Sequence, residues 1–326
     1  MSEYIIDVAG LKKAFKVSKR DEGFGAAVKS LWNRKYEMVY GVDGIDLQVR
    51  KGEIRGLIGP NGAGKSTTIK ILSGILHPEE GRVNVMGFVP WLERQKYVKH
   101  LGVVFGQKSQ LWWDLPPIDT YSLNREMYKV PTKRYKELVD YFKELLQIED
   151  VVYKPVRQLS LGERMKCEFV CAMLHEPSLV FLDEPTIGLD IISKESIRKF
   201  IKQVNRDLRT TFILTTHDLS DLENLCENVT IINKGRVVYN DAMSQLNKYF
   251  SQKKLIDIQF HEPMGKHLLK EYTLLHSDEL TATIELDLTE QDLRQFVYDL
   301  LGRLPVQDIN IRNIPIEDVI KSIYSA

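Results

Sequence analysis

The sequence predicts an α/β fold followed by a small α+β unit, and three observations carry that prediction. Over residues 4–239 short β-like runs alternate with longer helical stretches. A glycine-rich, phosphate-loop pattern stands where one such run passes into a helix, and beyond about residue 245 the apolar residues switch to alternation at period two. Strand, helix and strand in succession build a parallel sheet with helices on its faces. The 326 residues suit about two domains of roughly 100–200 residues each. With 43% hydrophobic and 28% charged residues, the balance is that of a globular protein, which excludes collagen, coiled coil and wholesale disorder.

In chain order, the β-like runs are residues 54–58, 101–105, 179–182, 211–215 and 229–232. Residues 18–38 interrupt the pattern with five basic residues (Lys19, Arg20, Lys29, Arg34, Lys35) against three acidic ones (Asp21, Glu22, Glu37). This reads as a surface insertion with a short amphipathic helix at 26–32, serving as a solvated loop or as a dock for a membrane or partner. The first domain spans residues 1–245 and the second 250–326. In the second, residues 255–260 and 279–288 alternate as strands, and Thr289 caps a helix that starts at Glu290. A strand at 306–311 follows, and Pro315 sits in the first turn of a last helix, where its missing N–H costs nothing.

Forty-five Lys and Arg balance forty-five Asp and Glu, so no global field recruits nucleic acid or an anionic membrane. Cys167, Cys171 and Cys226 are sparse and odd in number, and no signal peptide precedes them, which predicts a reducing, cytosolic compartment. The apolar runs fall far short of the roughly 20 residues that span a bilayer.

Gly59-Pro60-Asn61-Gly62-Ala63-Gly64-Lys65-Ser66 matches G-x-x-x-x-G-K-[ST] between a strand and a helix with apolar period Ile69, Leu72, Ile75 and Leu76. The glycines let backbone N–H groups point at phosphate oxygens, and the helix that opens through Thr67 adds its positive end. Lys65 reaches the outer phosphates and Ser66 supplies a magnesium ligand. Asp183 and Glu184 end an apolar strand on the side where a parallel sheet presents its ligand site. Asp183 suits magnesium, and Glu184 suits acceptance of a proton from an attacking water.

Leu159-Ser160-Leu161-Gly162-Glu163-Arg164 opens a helix 23 residues before Asp183. With it, the chain resembles the ATP-binding subunits of ABC transporters over about residues 4–240. The motifs follow in the family's order: the cradle, Gln107, the Leu-Ser-x-Gly signature, the acid pair, Gly188-Leu189-Asp190, and His217 in Thr215-Thr216-His217-Asp218. The chain looks most like export-type subunits for drugs, lipopolysaccharide or nodulation factors. The resemblance implies a P-loop NTPase fold of ABC type, with a parallel sheet core and a helical subdomain.

It also implies ATP and Mg2+ as cofactors, ATP hydrolysis that drives a separate membrane permease, a second protomer as homodimer partner, and residence on the cytoplasmic face of the membrane. Residue by residue, Phe15 would stack on adenine, and Gln107 would sense magnesium and the attacking water. Ser160 and Gly162, with Glu163 beside them, would meet the γ-phosphate held by the partner protomer. His217 would contact that phosphate from the chain that holds it, and Asp190 would link the two sites.

The signature departs from Leu-Ser-Gly-Gly-Gln at Leu161 and Glu163. A leucine resists φ > 0, whereas Ser160-x-x-Glu163 forms a capping box. Cys167, Cys171 and His175 share one helix face but are spread too far along it to converge on one ion, and they read as packing. Trp112 and Trp113 fill a core or present an interface. A soluble regulatory NTPase and a translation-associated ABC-type ATPase are the competing functions. A GTP switch lacks its guanine-reading motif here, since Asn233-Lys234-Gly235-Arg236 ends in Arg, and no nucleic-acid partner is expected.

Overall fold

Two long strands, β1 (Tyr4–Lys19) and β2 (Lys35–Arg50), pair antiparallel. On β2, Ile45, Leu47 and Val49 are buried while Asp46, Gln48 and Arg50 meet solvent. The computed structural model describes residues 3–19, 35–106, 108–216, 218–246, 253–264 and 272–313. The expected helices at 26–32 and from Pro315 lie outside these. At the edges of the segment 18–38, residues 18–19 and 35–38 lie in strands, because β1 and β2 stay paired as far as Lys19 and Lys35.

With β4 (Glu80–Val85), these strands form an antiparallel sheet of order β2-β1-β4. The second sheet has the order β5-β6-β7-β3-β8-β9. Its members are β3 (Ile54–Ile58), β5 (Leu101–Phe105), β6 (Leu179–Asp183), β7 (Thr211–Thr215), β8 (Asn228–Asn233) and β9 (Arg236–Ala242). The pairings of β5 with β6, β6 with β7, β7 with β3 and β3 with β8 are parallel. Every residue of β3 and β7 is buried, as a strand covered on both faces requires. Lys234 and Gly235, both at positive φ, turn β8 into β9.

Helix α1 (Lys65–Leu72) follows β3, and the short α2 (Arg94–Tyr97) precedes β5. The helical pattern expected through Leu76 stops at Leu72. Gly74 takes φ 70° there, and a Cβ on it would lie 2.8 Å from the Pro90 carbonyl.

Between β5 and β6 lie α3 (Pro117–Tyr128), α4 (Thr132–Leu146) and α5 (Leu161–Met173), a helical layer. Proline opens α3 at its first turn, and Lys129 in the left-handed region closes it. Phe142 of α4 and Phe169 of α5 both meet edge-on the ring of Phe200 in α6 (Ile191–Leu208), locking this layer to the sheet's helices. Helix α7 (Leu219–Leu225) leads to β8.

The chain divides into two compact units, Met1–Asn240 and Asp241–Ala326. In the second, β10 (Lys253–Phe260), β11 (Leu274–Ser277), β12 (Thr281–Asp287) and β13 (Val306–Asn313) form an antiparallel sheet of order β11-β12-β10-β13. Helix α8 (Leu293–Arg303) joins β12 to β13 across β10, a split βαβ arrangement. Its Phe296 and Leu300 pack with Ile256, Ile258, Phe260 and Ile284. Thr289 does not cap this helix. Its hydroxyl and N–H both donate to Asp287, and Asp292 is the cap, accepting from the N–H groups of Arg294 and Gln295.

Candidate nucleotide site

The loop from Gly59 to Gly64 is built for close approach. A Cβ on Gly59 would lie 2.2 Å from the Ile232 carbonyl oxygen, and one on Gly64, which caps α1 at φ 112°, would lie 2.2 Å from that of Gly41. Gly62, at φ 79°, has open space where a side chain would point. The β8–β9 turn braces the loop from behind, since the Gly235 N–H donates to the Ala63 carbonyl at 2.8 Å.

Lys65 is buried, and its Nζ donates to the carbonyls of Gly59 (2.5 Å) and Pro60 (3.2 Å). Burial lowers its pKa, while the charges of Glu184 and Asp183 act in the opposite direction. Both carboxylates thus lie within electrostatic reach of the lysine. Ser66 Oγ stands 3.4 Å from Asp183 Oδ1, which also accepts from Thr215 Oγ1 at 2.6 Å. A hydroxyl and a carboxylate oxygen beside a buried ammonium suit a phosphate group carried with a hard divalent cation.

Glu184 sits at φ 54°, in the left-handed region that a non-glycine residue occupies only when its surroundings impose it. Its N–H donates to the carbonyl and to Oγ1 of Thr215, both at 3.1 Å. Gly106 presses against it, and a Cβ there would lie 2.2 Å from the Glu184 carbonyl oxygen. Thr186 and Thr216, flanking the acid pair and the segment toward His217, both donate to the buried Asp221, which Arg198 holds at 2.6 Å.

Phe15 lies half-buried on β1 opposite Val39. A Cβ on Gly41 would lie 2.7 Å from its ring and 3.4 Å from Thr67 Oγ1, so Phe15 neighbours the first turn of α1. Gln107 and His217 lie outside the described residues.

At the other motif, Ser160 caps α5 in a complete capping box. Its Oγ accepts from the Glu163 N–H at 3.2 Å, and Glu163 Oε2 accepts from the Ser160 N–H at 2.8 Å. These bonds hold the Glu163 carboxyl below its usual pKa. Leu161 is the first helical residue and is not at positive φ, so leucine fits there without strain. Gly162 is packed so that a Cβ would lie 2.2 Å from Ser193 Oγ, and Asp190 caps α6 through the Ser193 N–H at 2.9 Å. The signature and Gly188-Leu189-Asp190 are therefore neighbours within one chain.

Trp112 and Trp113 are each 55% exposed, which removes the core reading. The loop that carries them is nevertheless anchored, as the Arg157 N–H donates to the Trp113 carbonyl at 3.0 Å. Cys167 and Cys171 are buried in α5, with both thiols pushed up to about 12. His175 Nε2 bonds to the Leu101 carbonyl, and its ring stacks on Tyr128. Two contributors escaped the sequence reading, Thr215 and Glu168. Thr215 opens the His217 motif, but nothing local to it signals Asp183 as its partner. Glu168 interrupts an otherwise apolar stretch of α5, a faint signal in itself.

Residues 42–187 match the family model described as ABC transporter. The chain is 31% identical over 216 residues to an uncharacterized ABC transporter ATP-binding protein of Methanocaldococcus jannaschii, covering 66% of this chain and 77% of that one. It is 27% identical over 280 residues to the linearmycin resistance ATP-binding protein LnrL of Bacillus subtilis, covering 85% and 89%. Among solved structures, the fold resembles a dimeric ATP-binding cassette in a post-hydrolysis state bound to ADP and Pi. The TM-score is 0.60 at 21% identity, over 73% of this chain and 98% of that one.

Proposed function

The chain belongs to the family of ABC transporter ATP-binding proteins and is an ATPase of that family, and from this premise we propose that it energises a separate membrane permease for export. The observation that carries the proposal is the convergence of Lys65, Ser66, Asp183 and Thr215 at the carboxyl ends of β3, β6 and β7, with Glu184 held beside them. Lys65 and the loop N–H groups would bind the phosphates, and Ser66 and Asp183 would hold magnesium, which when bound neutralises charge on the transferred phosphoryl group. Glu184 would take the proton of the attacking water, with Thr215 fixing the backbone that aims it. Phe15 would offer its ring to adenine.

Ser160 and Gly162 would serve the site of a second protomer, and Asp190 would lie where the two sites meet. The exposed tryptophans suit docking of a permease helix, since amphipathic aromatics are enriched at such interfaces. Among the described residues no helix is long and apolar enough to cross a membrane, so transport would need another chain. Peripheral residence on the cytoplasmic face follows from that partnership. Export is favoured by the drug-resistance relative, which matches across most of both chains.

Lys65→Ala provides the test. ATP turnover should vanish and ATP binding weaken while the fold persists, as expected when a charge-assisted contact is removed. Turnover at the wild-type rate would sink the assignment. In membrane vesicles that contain the permease, ATP-dependent movement of substrate away from the face carrying this chain supports export, and movement toward it overturns export.

A further inference from the structure

Glu168 is 3% exposed, on α5 two turns beyond Ser160. Burying a carboxylate is costly unless donors surround it, and here one short segment supplies them. The Gln110 N–H donates to both carboxylate oxygens, at 3.0 and 3.1 Å, the Ser109 hydroxyl donates to Oε1, and the Leu111 N–H donates in turn to the Ser109 hydroxyl oxygen at 3.1 Å. That segment is also tied to the sheet, through Gln110 Nε2 to the Val103 carbonyl at 2.8 Å and the Lys108 N–H to the Phe105 carbonyl at 3.1 Å. One residue past β5, the Gly106 N–H donates to the Asp183 carbonyl at 2.9 Å. Downstream come the exposed Trp112 and Trp113. A single buried side chain therefore ties the helix that begins at the signature to the segment between the acid pair and the tryptophans.

We infer that Glu168 is a positioning residue for ATP hydrolysis: its carboxylate clamps residues 109–111 to α5, so that the signature and the tryptophan loop move as one body relative to the phosphate cradle. The inference rests on the ATPase reading, and its failure is separable, because Lys65→Ala tests the chemistry and Glu168→Gln tests the clamp. Glutamine keeps the volume but turns an N–H group toward donors that need an acceptor.

The experiment uses the full chain as wild type, Glu168→Gln, Ser109→Ala and the double variant. Three quantities are measured: amide hydrogen exchange, ATP affinity by displacement of a fluorescent analogue, and kcat. In Glu168→Gln the amide of Gln110 should exchange faster by roughly 10- to 100-fold, the range for losing a hydrogen bond to a charged group, and that of Leu111 should follow as Ser109 is released. Amides 62–66 should stay protected, and kcat should fall several-fold. ATP affinity should hold within about twofold, because the two sites share no partner. Ser109→Ala should move the same quantities less, and the double variant should be no worse than Glu168→Gln alone. Wild-type kcat with opened amides overturns the inference, as does loss of affinity and of cradle protection together, which would mark a purely structural role. If Glu168→Gln does not fold, Ser109→Ala decides alone: lowered kcat at unchanged affinity supports the clamp, and unchanged kcat overturns it.

Discussion

At the scale of single residues, the local chemistry of the site was open to sequence reading and its long-range chemistry was not. The cradle is legible because its glycines, lysine and serine act within one loop whose spacing is their geometry. Thr215 was not, since its bond to Asp183 joins residues 32 apart, and Glu168 was not, since its partner Ser109 is 59 residues away. His175 shows how burial turns one residue into a pH-dependent liability. Burial in the turn just past α5, beside Tyr128 and Leu101, lowers its pKa to about 4. In the unfolded chain a histidine binds its proton near pH 6.5. Between these values the unfolded state holds more protons, so stability should rise with pH through that window and fall on acidification. The loss from pH 7 to pH 5 should be at most about 2 kcal/mol, less for the part of the ring that meets solvent. Urea unfolding at the two pH values should show a smaller difference for His175→Gln than for wild type. An equal difference would assign the acid sensitivity to other groups.

Elements were read well where a side chain states its own boundary and poorly where packing imposes one. Ser160 and Glu163 announce the start of α5, and the capping box is present atom for atom. In contrast, α1 stops at Leu72 because Gly74 must pass close to Pro90, a contact that periodicity cannot register. Thr289 and Asp292 both suit a helix start, but Asp287 takes the donors of Thr289, leaving Asp292 to cap α8. The β1–β2 pair escaped because its register shifts at four places, which breaks the period-two signal. At α5 the departure from the family's commonest signature has a structural use. Glu163→Ala should remove half of the box and cost about 1 kcal/mol of stability, whereas Glu163→Gln, which can still accept from the Ser160 N–H, should cost less. Denaturant midpoints of the two variants check this, and equal losses would show that the cap contributes through charge rather than through its hydrogen bond.

At the scale of the molecule, one chain carries a cradle and a signature that, in the proposed assembly, serve different nucleotides. Ser160 is exposed, and although its Oγ accepts from the Glu163 N–H, its hydroxyl proton remains able to donate to an acceptor brought by another protomer. Glu184→Gln isolates that arrangement, because it keeps the shape of the side chain while removing the base. Turnover should fall by roughly 10²–10⁴-fold, the usual contribution of general-base assistance, while Lys65, Ser66 and Asp183 still bind ATP. An ATP-loaded protein that cannot hydrolyse should stay closed, so ATP should convert monomer to a stable dimer on size-exclusion chromatography with sodium replacing magnesium. Adding Ser160→Arg should abolish the dimer by setting bulk where the γ-phosphate must meet the signature. It leaves the cradle's own residues intact, so ATP affinity measured on the monomer should be retained. A Glu184→Gln protein with normal turnover would remove Glu184 as base. One that binds ATP yet remains monomeric would leave the cradle in place and make closure depend on the permease, since Leu161 and Glu163 are the positions at which this signature differs from the commonest pattern.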